Sequence, residues 1–113
     1  MVFIRKFKKI VLIFFMLISA SSANAITNCG PYKVLGIQSQ ANGVNLIRLQ
    51  LSTGVITWKR LGSWSVPITK SHMAIAMQAY AMGDTIVLRY QQDNYDCESI
   101  DYSTNLDMIR IGK

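Results

Sequence analysis

Between Tyr32 and Ser39 apolar and polar side chains take turns, and the run contains the β-formers Val34, Leu35 and Ile37. A period of two over eight residues predicts a strand with one face in a core. Gln40-Ala41-Asn42-Gly43 follows, and its Asn-Gly pair suits the positive φ angles of a tight hairpin turn. The chain returns over Val44 to Leu51, with Asn45, Ile47, Leu49 and Leu51 on one face and Leu46, Arg48 and Gln50 on the other. Ser52-Thr53-Gly54 reads as a second turn and Val55 to Arg60 as a third strand. Leu61 to Pro67, carrying Gly62, Trp64 and Pro67, reads as a connecting loop. From Lys70 to Met82 the period lengthens and Met73, Ala76, Met77 and Tyr80 recur at helical spacing. This predicts a helix capped by Thr69 or Ser71 and stopped by Gly83 in the left-handed terminal position. Thr85 to Tyr90 is the fourth expected strand, Gln91 to Asn105 a polar loop, and Leu106 to Ile111 the fifth strand.

These elements predict a mainly β domain with one helix. The order β-β-β-α-β-β is that of an OB-like Greek-key barrel of five strands, in which the helix plugs one end. A methionine-rich stripe suits such a plug, because the unbranched Met side chain fills irregular gaps. A split β-sheet with a packed helix is the competing architecture.

Ahead of this pattern lies a different one. Arg5, Lys6, Lys8 and Lys9 precede an unbroken apolar run, Ile10 to Ile18, and Ala23-Asn24-Ala25 has the A-x-A form of a cleavage site. Residues 1–25 therefore read as a signal peptide and 26–113 as one mature domain, secreted or periplasmic, with no membrane insertion after the leader is removed. The apolar run is too short to span a bilayer, which takes roughly 20 residues.

Removing the leader changes the electrostatics. The formal charge of +6 for the whole chain falls to near +2, with eight bases against six acids. A nucleic-acid partner is thereby disfavoured. The remaining charge is uneven: Lys33, Arg48, Lys59, Arg60 and Lys70 face no acid before Asp84, and all six acids follow from there. Either the two halves attract one another, within the fold or across a subunit contact, or the basic half offers a face to an anionic ligand such as a sialylated glycan.

The mature part holds only Cys29 and Cys97, and in an oxidising compartment an isolated pair reads as a disulfide. The alternative, a zinc site, lacks ligand count and spacing, so neither a metal nor a cofactor is expected. Catalytic chemistry is equally thin. His72, the only histidine, reads as an exposed side chain at the start of the helix, and Gly62-Ser63-Trp64-Ser65-Val66 lacks the second glycine of a nucleophile elbow. Asp93, Asp96, Glu98 and Asp101 form a solvated acidic loop without calcium-loop spacing, and an enzyme is not expected. What remains is aromatic and polar surface. Arg60, Trp64, Tyr95 and Tyr102 are the candidate ligand-binding residues, since indole and phenol rings stack on sugars while guanidinium groups pair with carboxylates. Trp58 is assigned to the core or an interface, and Trp64 to the surface.

The early cysteine, the order of elements, and a helix ending in Tyr80-Ala81-Met82-Gly83 before Thr85-Ile86-Val87-Leu88-Arg89-Tyr90 resemble the B subunits of bacterial A/B-type toxins. The nearest are those of the subtilase cytotoxin and pertussis-like group. The resemblance implies a ring-forming homo-oligomer that binds cell-surface glycans and carries a toxin A subunit. A second reading is a periplasmic accessory or inhibitor protein that uses an OB-like scaffold to bind another protein.

Overall fold

The computed structural model describes residues 25–112. The expected leader lies outside the described residues, apart from Ala25. Five strands and one helix follow in the order β1 (Thr27–Ser39), β2 (Val44–Leu51), β3 (Ile56–Ser63), α1 (Ile68–Met82), β4 (Thr85–Tyr90) and β5 (Met108–Ile111). The strands form one antiparallel sheet in the spatial order β3-β2-β1-β4-β5. A single parallel bridge, Lys59 to Asp101, ties β3 to the segment that leads into β5.

The central strand, β1, serves two neighbours. Its second half pairs with β2, from Tyr32 opposite Leu51 to Ser39 opposite Asn45, and its first half pairs with β4, from Thr27 opposite Tyr90 to Lys33 opposite Thr85. Two irregularities let it do so. Leu35 is an extra residue between Val34 and Gly36, and between Cys29 and Tyr32 the two residues Gly30 and Pro31 oppose the single Val87, one residue more than the partner strand. A bulge resets the alternation of a strand. Cys29, Tyr32 and Val34 are accordingly buried on the same side, while Gly36 and Gln38 pair with Arg48 and Leu46 of β2 on the other side. Gly30 has φ +130°, and a Cβ placed there would lie 2.7 Å from the Ile86 carbonyl oxygen, so only glycine fits.

The core gathers Tyr32, Ile47, Leu49, Leu61, Ile86, Leu88 and Tyr90 from the sheet with Ala76 and Ala79 from α1. Here the helix departs from expectation. Its buried residues are Thr69, His72, Ala76 and Ala79, whereas Met77 and Tyr80 stand more than half exposed. Of the expected stripe, Ala76 is buried and Met73 packs against the core, so the inward face is lined by small side chains with one methionine rather than by a methionine plug. His72 is buried rather than exposed, and the N-cap is Pro67 with no side-chain cap, rather than Thr69 or Ser71. Gly83 does take the left-handed terminal conformation, with φ 71°. Cys29 and Cys97 are joined by a disulfide with their Cα atoms 5.4 Å apart, which excludes both from metal binding.

Candidate functional site

On the face of the sheet turned away from the core, β1, β2 and β3 form a groove of about 560 Å³ lined by Gln38, Gln40, Asn42, Val44, Leu46, Trp58, Arg60 and Tyr102. The register explains the composition. Leu46 stands opposite Arg60, and Arg48 opposite Trp58, so these four side chains share one face of the β2–β3 pair, while Ile47, Leu49, Thr57 and Lys59 share the other. The floor is Leu46 and the half-buried Trp58; the walls are amides, one guanidinium and one phenol. No carboxylate lines it. The Arg60 Nε atom is buried without a hydrogen-bond partner. A desolvated donor with no acceptor costs free energy unless something arrives to accept from it.

Tyr102 comes from a loop 42 residues beyond Arg60 in the chain, and a buried polar hub holds it there. Lys59 projects into the interior from β3 and is fully buried. Its Nζ donates to the Tyr95 hydroxyl at 3.0 Å, the Asp96 carbonyl at 3.0 Å, the Ser99 carbonyl at 2.6 Å and the Ser99 hydroxyl at 3.2 Å. The Thr57 hydroxyl donates to the same Ser99 carbonyl. The Tyr95 hydroxyl donates to Asp101 Oδ2 at 2.6 Å, and the Tyr95 ring stacks on Tyr90 with centroids 3.7 Å apart. The Tyr32 hydroxyl donates to the Cys97 carbonyl at 2.6 Å, beside the disulfide. Asp101 then closes the segment: its N–H donates to the Trp58 carbonyl at 3.0 Å, and its carboxylate accepts from the N–H groups of Ser103 and Thr104. Tyr102 sits between these anchors and is delivered to the rim beside Trp58.

The ionisations follow from these contacts. Burial lowers the Lys59 ammonium below its ordinary value, partly opposed by the charges of Asp101 and Asp96. Burial alone would raise the Asp101 carboxyl, but hydrogen bonds from Thr104, Tyr95 and Ser103 outweigh it and hold the group below the usual carboxylate range. Burial pushes the phenols of Tyr32, Tyr90 and Tyr95 up.

Of the four residues singled out from sequence, the fold brings Arg60 and Tyr102 together in the groove. Tyr95 faces inward as part of the hub, with its hydroxyl engaged on two sides. Trp64 is exposed at 43%, and its indole N–H lies 3.4 Å from the Ser39 hydroxyl, outside the groove lining. Trp58, assigned to the core or an interface, is half-buried outside the core and lines the groove as its aromatic surface. Its position two residues from Arg60 on one strand carried that signal, because side chains two apart share a face. Gln38 precedes the hairpin turn and Gln40 and Asn42 belong to it, and amides there read as turn polarity rather than as a binding wall. Comparison with protein-family models and with curated proteins finds no match for this chain.

Proposed function

We propose that the mature chain is a secreted, non-catalytic recognition module, similar in role to a toxin B subunit, that binds cell-surface glycans through the groove over Trp58. The observation that carries this reading is the composition of that groove: an indole floor, a phenol at the rim, three side-chain amides and a guanidinium. Sugar rings present an apolar face to aromatic side chains and hydroxyls to amides, so each wall has a matching partner. The scaffold is read as an OB-like barrel. Its support is the strand order β3-β2-β1-β4-β5 together with the bridge from Lys59 to Asp101, which brings the two ends of the sheet towards each other.

The test is a glycan array probed with the mature protein, with Trp58→Ala and Tyr102→Ala alongside. Binding that falls at least tenfold in Trp58→Ala while the fold is retained supports the reading; glycan binding indifferent to both substitutions removes the groove from it. Trp64→Ala and Tyr95→Ala complete the set of aromatic candidates, and Tyr95→Ala is expected to act through stability.

A second reading, a protein that docks on another protein, has its own observation. Trp64, Val66, Ile68, Met77, Tyr80 and Met82 are each 43% exposed or more, along the β3–α1 connection and α1. Exposed apolar surface of this kind marks contact with protein. A ring homo-oligomer, with or without a toxin A subunit, would cover it. Native mass measurement separates the possibilities: a multiple of the subunit mass supports the ring, and a monomer favours a separate partner.

A further inference from the structure

Arg60 is not the only guanidinium on the groove face left without a partner among the described residues. Arg48 stands directly opposite Trp58 on β2, is exposed, and makes no hydrogen bond or ion pair with a described residue. Arg60 is two residues from Trp58 on β3 and half-buried, with its Nε orphaned. Arg48 and Arg60 are therefore diagonal neighbours across one antiparallel pair, a spacing of about 7–8 Å, with Trp58 beside both on the same face, directly across from Arg48 and two residues before Arg60; Arg48 itself stands outside the groove lining. One carboxylate, or one edge of a sulfate, presents two oxygens to one guanidinium fork, so two forks call for two anionic groups. The acidic side chains do not intrude, since the groove lining holds none.

Resting on the glycan reading above, we infer that the groove takes an acidic glycan carrying two anionic substituents, sulfate or carboxylate, on or next to the sugar stacked on Trp58, one held by Arg60 in the groove and the other by Arg48 beside it. A neutral sugar leaves both guanidinium groups unmatched, and the buried Nε of Arg60 is the costlier of the two to leave so. The ligand class is thus narrower than cell-surface glycans in general, and narrower than a glycan with one terminal acid.

Four saccharide probes test this by calorimetry or fluorescence titration: a size-defined heparin oligosaccharide, its desulfated counterpart that keeps the uronate carboxylates, sialyllactose as a single-charge sugar, and lactose as a neutral one. Expected is tightest binding of the heparin oligosaccharide, weakened by added salt, with loss of about tenfold or more in Arg60→Gln and several-fold in Arg48→Gln. Arg60→Lys, which keeps the charge but not the fork, should fall between wild type and Arg60→Gln. Retention of binding by the desulfated probe assigns the anions to carboxylates, and its loss assigns them to sulfates; both outcomes support two-point anion recognition. Equal affinity for lactose and for the heparin oligosaccharide, or sialyllactose binding as tightly as the doubly charged sugars, overturns the inference while leaving the glycan reading intact. Failure of every saccharide overturns both. A single-stranded oligonucleotide that displaces the heparin oligosaccharide at equal concentration also overturns it, because the groove would then be reading a phosphate backbone.

Discussion

A buried ammonium keeps its charge only where acceptors replace the water it has lost. Lys59 has four such acceptors and no direct carboxylate contact, and three of the four belong to Asp96 and Ser99 in one short stretch of loop. It therefore acts as a pin through that loop, and Lys59→Met, similar in length and apolar, should lower stability by about 2 kcal/mol because the Tyr95, Asp96 and Ser99 oxygens lose their charged donor, even though Thr57 and Ser99 still donate to the two carbonyls. In a domain of this size that is a fall of roughly 8–16 °C in melting temperature, measured by circular dichroism. A variant as stable as wild type would mean that the pin contributes no net stability. Asp101 supplies the pH dependence. A carboxyl held below its ordinary range adds stability that is fully present above the unfolded value of about 3.9 and is lost as pH falls through the folded one. Asp101→Asn should flatten the slope of stability against pH between about 5 and 2; an unchanged slope would place the acid sensitivity elsewhere. At the alkaline end the sign reverses. Tyr32, Tyr90 and Tyr95 hold their protons above the usual value near 10, so their contribution is present below it and lost above. Spectrophotometric titration should find three of the five tyrosines ionising only as the fold opens.

Among elements, β2 and β4 begin and end where their period-two patterns do, at Val44–Leu51 and Thr85–Tyr90. β1 starts at Thr27, five residues before its readable alternation, because Gly30 and Pro31 look like an ending when taken alone and are a bulge within the strand. β3 runs on through Gly62 for a similar reason. Gly62 has φ +145°, and a Cβ there would collide with the side chain of Thr69 at the start of α1. Gly62→Ala should therefore cost about 2–4 kcal/mol, combining strain with overpacking, whereas Gly36→Ala, which meets open space, should change stability little. Equal effects in chemical denaturation would contradict the helix-to-strand contact. The inward face of the helix is hard to read because its apolar residues surround most of the cylinder, and packing turns Met73, Ala76 and Ala79 towards the sheet while Met77 and Met82 face out. Arg60 and Tyr102 were legible as polar and aromatic surface. The burial of Lys59 and Tyr95 was not, since the groups that satisfy Lys59 lie 36–40 residues away in a loop with no pattern.

For the molecule as a whole, the disulfide joins the start of the central strand to that same loop across 68 positions. Loop-closure entropy assigns such a link about 4 kcal/mol, so the Cys29→Ser, Cys97→Ser double variant should unfold at markedly lower denaturant with the loop loosened first. Hydrogen exchange would register this as early loss of protection over residues 95–101, and retained protection there would credit Lys59 and Tyr32 with holding the loop alone. Because β1 lends its two halves to different neighbours, no line divides this domain into parts that could stand separately. A protease cut at the Ser52–Gly54 tip should be survived with both fragments still associated, while a cut inside 33–36 would sever the one strand common to the whole sheet and dissolve it.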